Sequence, residues 1–191
     1  MNRAGESQQK TPTRRLFFAL WPEHAQQSAL AEAAREAVQA CKGRPVPVEN
    51  FHLTLAFLGS VPEKRIGDLE GIAGRVAEGF VGKTPRVALD TVEYWKKAEL
   101  LCAIAGTGAT QGPTEVASAL AEALKAHLAG SGFAPDVKPF RAHVTLARNV
   151  PRRIPTADFS PIYWSFRAFA LVESRTKSSG SEYTVLKSFR L

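Results

Sequence analysis

Two segments of the chain, residues 51–56 and 142–147, alternate between apolar and polar positions in nearly the same way. Each carries one histidine and, two residues later, one threonine. Successive side chains of an extended strand point to opposite faces, so His52 shares a face with Thr54, and His143 shares a face with Thr145. The pattern therefore predicts two strands, each with an apolar face for the core and a His/Thr face for another use.

The rest of the pattern predicts further strands and helices around these two. Period-2 and aromatic-rich segments predict strands at 15–20, 51–58, 86–94, 99–105, 142–147, 163–173 and 183–191, the second of them ending at Gly59. Helical spacing and composition predict helices at 22–40, 62–80 and 114–129. Small or polar residues predict loops at 106–113 and 174–181. Helices alternating with antiparallel strands indicate an α+β fold with the helices packed outside the sheet.

The two halves of the chain, divided near Gly106, share the order helix, motif strand, further strands. This order predicts an internal pseudo-repeat whose approximate two-fold axis brings His52 opposite His143. The length of 191 residues suits one domain with two lobes. We expect that domain to span residues 15–191 and residues 1–14 to be a mobile polar tail.

Composition narrows the class of protein. No apolar run approaches the roughly 20 residues of a membrane span, and the first 15 residues lack the apolar centre of a signal peptide, so we expect a cytoplasmic protein without membrane contact. Cys41 and Cys102 are isolated, which argues against a disulfide framework or a zinc site. The formal net charge of +7 favours an anionic partner, although an ordinary basic surface is the alternative.

Paired histidines suit acid–base chemistry. Because the ordinary pKa of histidine is about 6.5, one imidazole can accept a proton while a second donates one, as metal-free phosphodiester cleavage requires. The threonine hydroxyls can donate hydrogen bonds to phosphate oxygens. A single His-x-Thr on a strand is usually structural, and it is the pairing that favours a function. His24 and His127 have no companion threonine and are not assigned to the site.

Arg148 is the arginine nearest in sequence to the second motif. It follows His143 by an odd number of residues and so falls on the opposite face of a regular strand. It reaches the site only if the strand ends or bulges near Ala147, or if its long side chain bends around the edge. No Asp or Glu lies within either motif, so we predict no metal and no cofactor.

Around these residues the chain resembles the 2H phosphoesterases, and within them the RNA 2′,3′-cyclic phosphodiesterases, historically called 2′-5′ RNA ligases. The resemblance covers nearly the whole chain after the tail. It is carried by the segments RLFFAL at 15–20, NFHLTLAFLG at 50–59, FRAHVTLAR at 140–148 and GSEYTVL at 180–186.

The resemblance implies a bilobal α+β fold with a central cleft, and metal-independent opening of a terminal 2′,3′-cyclic phosphate to a 2′-phosphate. It makes His52 the general acid and His143 the general base, although the near-symmetric motifs leave these two roles open in the sequence itself. Thr54 and Thr145 would hold the phosphate. The resemblance also implies three further substrate contacts: Arg148 to phosphate or nucleoside, Phe18 as a site wall or else a core residue, and Tyr183 through its hydroxyl or its ring.

The expected partner is an RNA with a 2′,3′-cyclic phosphate end or a small cyclic nucleotide. The same site run in reverse would join ends in a 2′-5′ linkage, and a non-catalytic module that binds nucleotides or RNA ends is the alternative of a different class. Arg175 and Lys177 of the predicted loop are candidates for RNA contact, which salt would weaken. We expect a monomer without an obligate protein partner.

Overall fold

The computed structural model describes residues 11–105, 114–178 and 180–191, so the predicted loop at 106–113 and the first ten residues of the predicted tail lie outside it. The first of two antiparallel sheets has four strands in the order β3-β1-β8-β9. Its strands are β1 (Thr13–Leu20), β3 (Leu53–Pro62), β8 (Ala168–Lys177) and β9 (Gly180–Arg190).

The second sheet has five strands in the order β2-β6-β5-β4-β7. Its strands are β2 (Arg44–Pro45), β4 (Arg86–Trp95), β5 (Leu100–Ile104), β6 (His143–Arg148) and β7 (Ala157–Ser165). The two motif strands, β3 and β6, thus belong to different sheets. The α+β class and the two lobes are confirmed, but the lobes are not the two halves of the chain, since the last two strands join the first sheet.

Four α-helices accompany the sheets in the described residues: α1 (His24–Ala33), α2 (Arg35–Ala40), α3 (Ile66–Glu78) and α4 (Glu115–Gly130). α3 and α4 each bury an apolar stripe, which includes Leu69, Ile72 and Val76 in α3 and Leu120, Leu124 and Leu128 in α4. The single helix predicted at 22–40 is wrong, because the chain bends at buried Ala34 (φ −93°, ψ 1°). None of the described helices is long and apolar enough to cross a bilayer.

Three strand predictions need correction. β1 begins at Thr13, where its residues pair with the end of β3, so Thr13 and Arg14 belong to the sheet rather than the tail. β3 continues through Gly59 (φ +68°) to Pro62 instead of ending there. The single strand predicted at 163–173 is instead parts of two strands in different sheets, β7 and β8. Buried apolar residues continue through the junction, so the hydrophobic pattern does not indicate where one strand ends and the next begins.

The polar loop predicted at 174–181 is a β-hairpin formed by β8 and β9. Arg175 lies opposite Glu182 in the ladder, and the Lys177 ammonium forms a 2.7 Å ion pair with the Glu182 carboxylate. Gly180 has φ +134°, a backbone conformation that residues with a side chain rarely adopt. Since both hairpin strands are solvated here, their polar sequence resembles that of a loop.

One buried polar side chain ties α1 to the first motif. The Gln27 amide, 3% exposed, donates through Nε2 to the backbone oxygens of Glu49 (3.0 Å) and Phe51 (3.1 Å). These carbonyls belong to the 3₁₀ turn at Val48–Asn50 and the residue after it, immediately before His52. The helix therefore fixes the backbone that leads into β3.

Replacing Gln27 with leucine should lower the free energy of unfolding by about 2 kcal/mol, because two carbonyls lose their donor and one of these bonds is fully buried. Urea unfolding followed by circular dichroism measures this, with the midpoint expected to fall at an unchanged m-value. Gln39→Leu, on the exposed side of α2, is the matched control. Equal midpoints for the two variants would contradict this role of Gln27.

Candidate active site

The two motifs meet at one cleft of about 660 Å³ between the sheets. Its walls include both motif histidines, both motif threonines, Arg148 and Tyr183. Of the seven site residues predicted from the sequence, the structure therefore brings six together. The other side chains around the cleft are Arg15, Phe17, Phe57, Leu100, Lys138, Ser174, Thr176 and Ser181.

A β-bulge at the third residue after each histidine shapes the two motif strands. In β3 the ladder with β1 skips Leu55, and in β6 the ladder with β5 skips Leu146. The extra residue reverses the alternation, so Leu55 and Ala56 are both buried, as are Leu146 and Ala147. The side chain five residues after each histidine consequently faces the cleft.

The second of these bulges decides the position of Arg148. A regular strand would have turned this guanidinium away from His143, and the bulge at Leu146 turns it back. The sequence analysis required an end or a bulge of the strand near Ala147 for Arg148 to reach the site, and the structure has a bulge one residue before Ala147. At the equivalent position in β3 stands Phe57, which also lines the cleft and carries the Arg15 guanidinium 4.8 Å above its ring.

Both imidazoles are held by the same backbone hydrogen bond. Nδ1 of His52 lies 2.7 Å from the carbonyl oxygen of Asn50, and Nδ1 of His143 lies 2.7 Å from the carbonyl oxygen of Arg141. A carbonyl oxygen only accepts, so Nδ1 must donate its proton. Nε2 of each ring then accepts a proton when the imidazole is neutral and donates one when it is charged.

Aromatic rings fix the remaining freedom of the imidazoles. Trp21 stacks on His52 with centroids 5.1 Å apart and planes 3° apart, and Trp95 packs on His143 at 4.5 Å and 45°. Phe17 and Tyr183 also contact His52, at 5.0 Å and 5.1 Å between centroids. The location of Tyr183 beside the site agrees with the sequence prediction.

Phe18 is not a wall of the cleft. It is fully buried and packs edge-on against Phe169 and Phe189, because it shares the core face of β1 with Leu16 and Leu20. Its neighbour Phe17 has the opposite parity and contacts His52 instead. The alternation of β1 predicts only that Phe17 and Phe18 lie on opposite faces, and nothing in the sequence pattern pointed to Trp21 or Trp95.

Comparison with known proteins places this arrangement in a family. The model of the LigT-like phosphoesterase family matches residues 20–99. A relative from Thermus thermophilus named RNA 2′,3′-cyclic phosphodiesterase is 30% identical over 93% of this chain and 90% of its own length. The chain belongs to the LigT-like phosphoesterases.

Two further comparisons agree with this assignment. An Escherichia coli K12 relative, also named RNA 2′,3′-cyclic phosphodiesterase, is 33% identical over 78% of this chain and 80% of its own length. The crystal structure of E. coli LigT complexed with 3′-AMP superposes with a TM-score of 0.81 at 26% identity, covering 94% of this chain and 99% of that one.

Burial sets the charge of the histidines in this phosphoesterase. It lowers the pKa of His52 to about 4, against the opposing effect of the hydrogen bond to Asn50, and the positive charges of Arg148 and His143 lower it further. Burial likewise lowers the pKa of His143, with Arg141 and Arg148 contributing. Both imidazoles are therefore mainly neutral at neutral pH.

A thiol lies behind the second threonine. Cys102 is opposite Thr145 in the β5–β6 ladder and is fully buried, and its pKa is raised to about 12 by burial despite a hydrogen bond with Thr145. Cys102 therefore stays a neutral thiol and supports the threonine by packing. Both cysteines are buried and free.

The lowered pKa of His52 makes stability fall with acid. The unfolded chain binds this proton near pH 6.5 and the folded chain near pH 4, so stability is constant above pH 6.5 and falls between these values. We expect a loss of about 2 to 3 kcal/mol by pH 4, and less in His52→Gln. Urea unfolding at each pH measures it, and His24→Gln should keep the wild-type dependence. Parallel curves for wild type and His52→Gln would refute it.

Proposed function

We propose that the protein hydrolyses the 2′,3′-cyclic phosphate at an RNA end to a 2′-phosphate and a free 3′-hydroxyl without a metal ion. The observation that carries the proposal is the pair of imidazoles in one cleft, each with Nδ1 bonded to a carbonyl and a threonine two residues later. The Thermus and E. coli relatives named RNA 2′,3′-cyclic phosphodiesterase support the substrate class.

The proposed reaction moves two protons. Nε2 of His143 accepts a proton from water as the water oxygen attacks phosphorus, and the bond from phosphorus to O3′ breaks. Nε2 of His52 donates a proton to the departing O3′, leaving the phosphate on O2′. The reaction ends with His143 charged and His52 neutral, and exchange with solvent restores the starting state.

The other residues of the cleft act on the phosphate. The hydroxyls of Thr54 and Thr145 line the cleft and donate to the non-bridging oxygens, on which negative charge develops. The Arg148 guanidinium adds a fixed positive charge on the same side as the histidines. The phosphate anion in turn raises the pKa of His52, so that binding of the substrate favours the proton that the acid must carry.

The location in the cytoplasm and the monomeric state stay predictions from the sequence. Ligation would use the same groups, with a 5′-hydroxyl in place of water as the nucleophile that opens the cyclic phosphate and forms a 2′-5′ linkage. Water at its high concentration favours hydrolysis, so we propose hydrolysis as the main activity.

We expect a short RNA with a 2′,3′-cyclic end to be converted to the 2′-phosphate in the presence of EDTA. His52→Ala and His143→Ala should each lower kcat at least about 100-fold, because each removes one proton transfer. Chromatography that separates 2′-phosphate from 3′-phosphate ends measures the product. His127→Ala, at an exposed position of α4, is the control. Tight binding of the RNA end without turnover would favour the binding-module alternative.

A substrate with sulfur in place of the bridging O3′ separates the roles of the two histidines. A thiolate leaves without being protonated, so this substrate should restore much of the rate of His52→Ala and little of the rate of His143→Ala. The opposite pattern would exchange the acid and the base while leaving the reaction unchanged.

The pH dependence follows from the lowered pKa values. In the free protein, burial holds the pKa of both histidines below its ordinary value of 6.5. Because the general acid must carry a proton, kcat/KM should fall as the pH rises above 7, approaching tenfold per pH unit. Because the bound phosphate raises the pKa of the acid, kcat should stay level to a higher pH than kcat/KM. Initial rates from pH 5 to 9 test this. Profiles of kcat and kcat/KM that coincide would show that the phosphate does not shift the acid.

A further inference from the structure

A second cavity of about 310 Å³ adjoins the catalytic cleft. The two share Arg148, Ser181 and Tyr183, and the second cavity adds Arg44 and Lys177. It lies where the short edge strand β2 meets the β8–β9 hairpin, so that both lobes contribute to its walls. A ligand whose cyclic phosphate lies between the histidines has room to extend past Arg148 into this cavity.

Two arginines line this cavity from adjacent strands. Arg44 of β2 is the direct partner of Arg148 in the antiparallel ladder, so the two side chains project from the same face of the sheet. Like charges directly opposite one another in a ladder repel and destabilise the pair. Such a pair is explained if an anion binds between the two guanidinium groups.

No protein carboxylate neutralises this pair in the described residues. Five other arginines form ion pairs with glutamate or aspartate: Arg14, Arg35, Arg65, Arg141 and Arg175. Glu182 lines the second cavity, but its carboxylate is bound by Lys177 at 2.7 Å. Arg44 and Arg148 thus keep both positive charges for a ligand.

Two glycines, Gly43 and Gly180, allow the close packing that positions Arg44. A Cβ on Gly43 would lie 2.8 Å from the Arg148 carbonyl oxygen, so the close approach of β2 to β6 requires glycine there. On the other side, the Arg44 guanidinium packs against Gly180, where an added Cβ would lie 3.4 Å from one of its nitrogens. Arg44 therefore spans from the second sheet to the hairpin of the first.

We propose that Arg44 and Arg148 bind a second phosphate of the substrate, the one on the 5′ oxygen of the nucleoside that carries the cyclic phosphate. This inference rests on the proposed function, because it takes the position of the cyclic phosphate from it. The 5′ oxygen lies across the same ribose from O2′ and O3′, in reach of the neighbouring cavity. Two guanidinium groups match the several oxygens of a phosphate, which accept paired N–H bonds.

The second phosphate has two chemical sources. It is the internucleotide phosphodiester when the substrate is an RNA end, and a 5′-monophosphate when the substrate is a single nucleotide. In both cases the protein discriminates against a cyclic nucleoside with a free 5′-hydroxyl.

Three substrates test this: adenosine 2′,3′-cyclic phosphate, the same compound with a 5′-phosphate, and the ApA dinucleotide with a 2′,3′-cyclic end. We expect kcat/KM of the wild type to be at least about tenfold higher for the two that carry a second phosphate. The ratio should fall toward one in Arg44→Gln. Arg190→Gln, at the far end of β9 from the hairpin, removes the same charge and should keep the wild-type ratio.

A binding measurement separates this inference from the reaction itself. Calorimetry should show adenosine 2′,5′-bisphosphate binding at least about tenfold tighter than adenosine 2′-phosphate to the wild type, and about equally to Arg44→Gln. A gain in kcat/KM for the dinucleotide alone would assign the site to the RNA phosphodiester.

Equal affinities in the wild type, or a preference that survives in Arg44→Gln, would overturn the second-phosphate site. If the protein hydrolysed none of the three substrates, the proposed function would be contradicted instead. The calorimetric comparison would still show whether Arg44 and Arg148 bind a second phosphate.

Discussion

Each motif histidine donates its Nδ1 proton to the carbonyl oxygen two residues before it, at 2.7 Å. The chemistry of the cleft depends on this bond, because it sets the tautomer and leaves Nε2 for proton transfer. The bond is only as rigid as its acceptor. In the first lobe Gln27 holds the carbonyls on either side of Asn50, and the Asn50 amide donates to the Ser181 oxygen at 3.4 Å.

In the second lobe the Arg141 guanidinium pairs with Glu93 at 2.6 Å and lies 5.1 Å over the Trp95 ring. Two unrelated supports produce the same imidazole geometry.

The bulge is the second shared device of the motifs. A regular strand offers the cleft the histidine and the threonine and then only every second residue. An extra residue at Leu55 and at Leu146 buries two consecutive side chains and returns the fifth residue after the histidine to the cleft. The apolar pair that resembles continued core in the sequence is thus what brings Arg148 to the cleft. The bulged residue also accepts a hydrogen bond from the segment that follows β2, since the Val46 amide donates to the Leu146 oxygen at 2.9 Å, and β2 itself carries Arg44.

Sequence reasoning found the parts of the site that local periodicity encodes. His52, Thr54, His143 and Thr145 share faces because a strand has a period of two, and the structure brings these side chains together. The same rule, applied to β1, separated Phe17 from Phe18 but did not say which face was core, since that depends on which neighbours the sheet acquires. The other incorrect predictions concern strands whose limits depend on pairing with residues distant in the sequence. The switch from β7 to β8 lies within one apolar run, and the hairpin at 174–181 consists of polar residues that pair with each other. The Trp21 and Trp95 contacts likewise depend on packing that no local pattern reports.

In a site with exact two-fold symmetry the two histidines would be interchangeable, so neither would have a fixed role toward O2′ or O3′. The asymmetry must come from residues at equivalent positions that differ. Five residues after the histidine, one lobe presents Phe57 and the other presents Arg148. The first lobe supplies its own positive charge through Arg15, stacked on the Phe57 ring, and one tryptophan lies flat on His52 while the other tilts by 45° on His143. Of these two positions, only that of Arg148 also lines the second cavity, so in the proposed complex the nucleoside has one favoured direction in which to extend. In the proposed reaction, the direction in which the nucleoside binds then decides which oxygen lies beside His52 and receives its proton.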